Sequence, residues 1–194
     1  MSDTAAIVRR AFEQGLVVPA FNVPYLPMIE PVARAVAECE SFGLIETARL
    51  EWYKFEGEGL GPVKQEYDTW ARPEVRLHLD HVPVIDEDEQ RVDYRTIIEE
   101  ALSLGYDSVM VDGSRLSLED NIEVTREVVE VAHRSGVPCE AELGAVLGHE
   151  AGPPPPYEEM FASGKGFTDV EEARRFVAES RCDWLSVALG NIHG

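Results

Sequence analysis

Lysine occurs only three times in the 194 residues, at positions 54, 64 and 165, and the bases together number 17 against 37 acids, a formal net charge of −20. Such an imbalance repels nucleic acid and anionic membrane surfaces over the range that salt allows, so neither is expected as a partner. It also means that the charge of any phosphorylated ligand must be met by local backbone donors, a metal or residues outside the chain. Cysteine is sparse as well: Cys39, Cys139 and Cys182 form no Cys-x-x-Cys pair, which argues against a disulfide framework and against a cysteine zinc site. No apolar run reaches the ~18 residues of a membrane span, and Met1-Ser2-Asp3-Thr4 lacks a basic stretch leading into an apolar one, which predicts a cytoplasmic protein. Nothing is of low complexity, and a hydrophobic content of 44% suffices for a buried core in one domain.

What is present is an alternation of short β-like runs with longer amphipathic stretches. After a lead-in helix over 4–14, strands are predicted over 17–23, 43–48, 75–81, 107–111, 137–143 and 184–189, several of them nearly continuous in Val, Leu and Ile. Runs of that kind suit a parallel sheet buried on both faces. Between them, 28–40, 94–104, 118–134 and 170–179 carry apolar residues at helical spacing, with Thr168 as N-cap of the last and acids in its first turn. The stretch 49–72, rich in Glu, Gly and aromatics, fits this scheme least and predicts helix only weakly. Four consecutive prolines at 153–156 exclude helix and central strand, so 151–166 is expected to be a surface excursion, read either as a lid or as an ordinary insertion. The alternation predicts an α/β fold, a doubly wound sheet or part of an eight-fold barrel; a barrel takes ~250 residues, and this chain holds about six βα units.

Each predicted strand ends in polar groups that a core would not welcome: Asn22, then Glu46 and Thr47, Asp80 and His81, Asp112 and Ser114, Glu140 and Glu142, and finally Asn191 and His193. In a parallel barrel all these ends meet at one face, where active sites are built. A single strand-end Asp or Asn also serves as a helix cap or turn former. His78 reads as structural and His133, on an amphipathic helix, as solvated. His81 and His193 stand apart, since each follows an apolar strand and has an acid or amide beside it. Two histidines make an incomplete zinc site, because catalytic zinc takes three protein ligands and a water.

Six blocks in this order resemble the class II, metal-dependent fructose-bisphosphate and tagatose-bisphosphate aldolase family: Pro19-Ala20-Phe21-Asn22-Val23, Leu77-His78-Leu79-Asp80-His81, Ser108 through Ser114, Glu140-Ala141-Glu142-Leu143-Gly144, Phe167-Thr168-Asp169 and Ala188 through Gly194. The resemblance implies a TIM (β/α)8 barrel, of which about six units lie in this chain as a single domain over 1–194. It implies a zinc-dependent aldehyde-lyase that reversibly cleaves a ketose phosphate to dihydroxyacetone phosphate and an aldehyde through a metal-stabilised enediolate, in a homodimer or homotetramer. By the same resemblance His81 and His193 are two of three metal ligands, and Asp112 and Glu142 hold the metal in an alternate position. Asp80 is the acid at the aldehyde oxygen, Glu150 moves the proton at the nucleophilic carbon, and Asn22 and Asn191 bind substrate. Schiff-base chemistry would need a lysine at the site, and none lies in or beside any predicted strand. The chain departs from the family pattern in four ways. Residues 1–194 contain neither the third histidine block nor the later phosphate-binding blocks. Val82 replaces the glycine after Asp80-His81, and Glu46-Thr47-Ala48 replaces a Gln-x-Ser. Another metal-dependent barrel isomerase or hydrolase, or a non-catalytic sugar-phosphate binder, are the alternatives.

Overall fold

Within the strands, aliphatic residues alternate with polar ones, and this period of two decides which side of the sheet meets the helices. A computed structural model describes residues 3–144, 156–164 and 167–190. In chain order the elements are α1 (Asp3–Glu13), β1 (Ala20–Asn22), α2 (Ile29–Glu38), β2 (Gly43–Ala48), α3 (Arg49–Lys54), α4 (Leu60–Trp70), β3 (Val75–Pro83), α5 (Tyr94–Leu104), β4 (Ser108–Asp112), α6 (Leu118–Arg134), β5 (Cys139–Leu143), α7 (Tyr157–Ser163), α8 (Val170–Ser180) and β6 (Trp184–Val187), with a 3-10 turn over Leu26–Met28 before α2. The six strands form one sheet in the order β1-β2-β3-β4-β5-β6, every neighbour parallel. Sequential parallel strands with a helical crossover after each make a half-barrel, the expected part of a TIM barrel.

Ile45, Leu77, Leu79, Val109, Val111, Cys139 and Ala141 point outward and join Ile29, Ala33, Val36, Ile98, Ala101, Ile122, Val129 and Ala132 of the helices in one buried cluster. The intervening residues face inward. Glu46, His78 and Ser108 occupy paired positions on three adjacent strands, and His78 Nδ1 lies 2.8 Å from Ser108 Oγ. The sheet therefore has an aliphatic back and a polar concave front.

Where helix signals agree, the predicted boundaries and the structure coincide. Asp93 accepts the Thr96 amide at the start of α5, Gly105 closes it with φ +85°, and Ser117 caps α6 through the Asp120 amide. The weakly predicted stretch 49–72 contains two helices, because Leu60, Val63 and Tyr67 of α4 reach the core. β1 is shorter than expected. The excursion after the prolines includes a seven-residue helix, α7, beginning directly after Pro156. Asp169 rather than Thr168 caps α8, accepting the amides of Glu171 and Glu172. Thr168 instead ties two strands together: its hydroxyl donates to Leu143 O and accepts the Ala188 amide.

Candidate active site

The site forms where β1 and β3 to β5 run out, and an irregularity in β3 shapes it. Pairing with β4 jumps from Leu79–Val109 to Val82–Val111, so Asp80 and His81 together face one residue, Met110. This is a β-bulge, and His81 takes φ +36° within it, a left-handed conformation that a non-glycine side chain adopts at a cost. In a regular strand consecutive residues point to opposite faces. The bulge lets an acid and an imidazole, adjacent in sequence, serve the same mouth.

Around His81 the groups converge. Its Nδ1 lies 3.3 Å from Glu142 Oε2 and 3.5 Å from Asp112 Oδ2, and its Nε2 lies 3.9 Å from Asp80 Oδ1. Asn22 donates from Nδ2 to the other Asp80 oxygen at 2.9 Å. Asp112 is fixed in turn by the Ser114 amide, 2.9 Å from its Oδ1. Glu142 is held through its main chain, where Asn121 Nδ2 donates to the carbonyl oxygen at 2.9 Å. Asn121 sits so close to Gly113 that a Cβ there would lie 2.2 Å from its Oδ1, so this turn requires glycine.

One imidazole nitrogen and two carboxylate oxygens, from His81, Asp112 and Glu142, lie within 4.8 Å of one another. Glu142 Oε2 is buried and, beyond its 3.3 Å approach to His81 Nδ1, has no hydrogen-bond partner among the described residues, an oxygen with capacity left for a cation. The N and O donor set suits a divalent ion such as zinc.

Proton affinities reflect the crowding of acids. Burial, then the charges of Asp80 and Glu140, raise Glu46 to about 8. Burial followed by Asp80 raises Glu140 to about 7, and burial followed by Asp112 raises Glu142 to about 7. For His81 burial opposes the charge, but the bond to Asp112 and the fields of Asp80 and Glu142 outweigh it and carry the imidazole to about 10. Burial also works against ionised Asp112, yet hydrogen bonds from His81 and Ser114 hold its carboxyl below the ordinary range. His78, fully buried beneath this layer, is lowered to about 4 by burial and stays neutral.

Of the residues expected from sequence, Asn22, Asp80, His81, Asp112 and Glu142 are brought together. Glu150, Asn191 and His193 lie outside the described residues. His78 is structural, as expected. His133 is exposed but not simply solvated, since its Nε2 meets Asp183 Oδ2 at 2.8 Å. Glu46 and Glu140, expected from sequence among the strand-end polar groups, belong to the inner layer beside the site, where the resemblance assigned neither of them a role.

The sequence profile described as Fructose-bisphosphate aldolase class-II matches residues 2–194. A fructose-bisphosphate aldolase of Helicobacter pylori is 32% identical over 192 residues, covering 97% of this chain and 57% of that protein. One from Thermus caldophilus is 33% identical over 190 residues, covering 97% of this chain and 56% of its own length. Among solved structures, the YdjI aldolase of Escherichia coli K12 superposes with a TM-score of 0.74 at 27% identity, over 100% of this chain and 64% of that one. A putative fructose-1,6-biphosphate aldolase from Coccidioides immitis gives 0.73 at 28% identity, over 100% of this chain and 62% of that one. The chain thus spans about three fifths of the length of the relatives it matches. With the strand order, the bulged Asp80-His81 and the profile match over nearly its whole length, the chain belongs to the class II fructose-bisphosphate aldolase family.

Proposed function

We propose that the protein is a zinc-dependent aldolase that reversibly cleaves a ketose phosphate to dihydroxyacetone phosphate and an aldehyde. The observation that carries this reading is the convergence of His81, Asp112 and Glu142 beside an Asp80 tethered by Asn22. His81, Asp112 and Glu142 would hold the ion, with His193 joining them by the family pattern. When bound, a divalent cation supplies Lewis-acid polarisation of substrate oxygens. The chain's own residues carry the proton work. Asp80 accepts from Asn22 through Oδ2, which fixes the plane of the carboxyl and leaves Oδ1 toward the mouth to exchange a proton at the aldehyde oxygen. Glu150 is assigned the proton at the nucleophilic carbon. Buried His78, neutral and bonded to Ser108, supports the floor without adding charge.

The greater length of the relatives accords with an open flank of the sheet. β6 is paired on one side only among the described residues, and a groove of about 590 Å³ beside it is lined by Val170, Ala173, Val177, Leu185, Val187 and Leu189. Further βα units seated on this flank would complete the barrel, and we include that closure in the proposal.

The test is a coupled assay for dihydroxyacetone phosphate release from fructose 1,6-bisphosphate and related ketose phosphates by zinc-loaded protein. Cleavage should be abolished by chelation. Asp80→Ala should lower turnover by ~10²–10⁴ with zinc content nearly unchanged, as for a proton-transfer group that is not a ligand. Zinc loss in parallel with activity would make Asp80 a ligand or a support, and no cleavage of any ketose phosphate by the loaded protein would refute the reading.

A further inference from the structure

One cation just past the end of β2 has no part in the chemistry above. Arg49 opens α3 directly after Ala48, and Ala48 is the register partner of Asp80. It therefore sits at the end of β2, next to the strand that carries the acid assigned to the aldehyde oxygen. Its side chain is only 17% exposed, yet among the described residues few of its donors are filled. Nη1 makes one long contact, 3.4 Å to Asp86 Oδ2, and the guanidinium lies 4.9 Å from the centre of the Tyr53 ring. Asp86 is mainly occupied elsewhere: its Oδ1 accepts the amides of Asp88 at 3.1 Å and Gln90 at 2.8 Å. A guanidinium offers five N–H donors in a fixed planar fork suited to two acceptor oxygens at once. Arg49 meets Asp86 through one long contact and not in the forked geometry that strong arginine–carboxylate pairs frequently take. The neighbouring Lys54, by contrast, is engaged with Glu87 at 2.7 Å and Asp88 at 3.9 Å.

We propose that Arg49 is a specificity residue that binds an anionic group, carboxylate or phosphate, at the aldehyde-side end of the substrate, with the Tyr53 ring as a flat wall behind the guanidinium. The inference rests on the aldolase reading and extends it from the reacting carbons to the far end of the substrate. In a chain with net charge −20 a local cation of this kind offsets part of the repulsion that an anionic substrate meets. Asp86 has a second role here: it holds the guanidinium in place through a contact weak enough for a better-fitting anion to displace.

The experiment measures condensation of dihydroxyacetone phosphate with three three-carbon aldehydes in zinc-loaded protein: glyceraldehyde, tartronate semialdehyde and glyceraldehyde 3-phosphate. Wild type should favour one charged aldehyde over the neutral one by about tenfold or more in kcat/KM, as a desolvated bidentate contact allows. Whether the carboxylate or the phosphate is preferred identifies the group. Arg49→Gln should remove about 10- to 100-fold for that charged aldehyde and change the neutral one by no more than about threefold. Should Arg49→Gln not fold, Arg49→Lys, which keeps the charge and loses the fork, reads the same point: a loss confined to the charged aldehyde supports the assignment. Asp86→Asn should raise kcat/KM for the charged aldehyde alone. An equal loss with all three aldehydes in a folded, zinc-replete Arg49 variant, or no charge preference in wild type, overturns the inference while leaving the aldolase reading intact. No condensation with any aldehyde in wild type overturns the aldolase reading and this inference with it.

Discussion

His81 stands among acids that would repel one another if all were ionised, and the protein relieves this by holding protons. Glu46, Glu140 and Glu142 reach about 8, 7 and 7 from an ordinary 4.5. Each binds its proton more tightly folded than unfolded, so its contribution to stability is complete below pH 4.5 and lost as pH climbs through 7 to 8. His81, raised to about 10, extends that loss to higher pH. His78 acts in the opposite sense: lowered to about 4 from 6.5, its contribution is present above 6.5 and lost as pH falls through 4. With three acids against one imidazole, the thermal midpoint of chelator-treated protein should fall between about pH 5 and pH 8, and saturating zinc should flatten the fall. Circular dichroism melts across that range decide the matter, and a midpoint that rises with pH in the chelated protein would show the acids ionised and compensated. Asn22, Asp80, His81, Asp112 and Glu142 were legible in the sequence because each interrupts the close of an apolar run. Arg49 was not, since its setting depends on Tyr53 and Asp86, groups joined to it through space and set in a stretch with no helical period to read.

At the level of elements, the turn from β4 into α6 is the tightest joint of the site. Gly113 lies against the Asn121 side chain, which also reaches across to the Glu142 carbonyl of β5 and, through its Oδ1, accepts from Thr125 Oγ1 at 3.2 Å. Gly113→Ala would drive a methyl group into that amide. It should cost about 1–3 kcal/mol of stability, as overpacking does. Denaturant unfolding should show this loss, with part of it recovered in the Gly113→Ala, Asn121→Ala double variant; full retention of stability in the single variant would mean that the turn gives way freely. The helices α5 and α6 could be placed from the spacing of their apolar residues alone. The β3 bulge could not, because a strand pattern that merely continues into Val82 and Pro83 looks the same whether one residue or two face the neighbour.

For the whole molecule, the aliphatic back of the sheet is covered by helices, but among the described residues nothing covers the flank at β6. Val170, Val177, Val187 and Leu189 are 63%, 41%, 39% and 74% exposed along the groove beside the unpaired edge. Contiguous apolar surface at an open strand edge promotes association. The 194-residue chain should therefore bind an apolar dye such as ANS and self-associate in sedimentation as concentration rises, and Val177→Asp with Leu189→Asp should reduce both. Dye binding unchanged in that variant would place the sticky surface elsewhere. Strand order bears on how the molecule is made as well as on how it works. Because spatial order equals chain order, every strand after β1 finds a neighbour already synthesised as it leaves the ribosome and needs to add only to the growing edge. His81, Asp112 and Glu142 sit on three successive strands, so the cation-binding cluster can assemble once β5 has emerged, before β6 exists. A divalent ion taken up at that stage would act as an early brace on the nascent sheet, well before the sheet itself is complete.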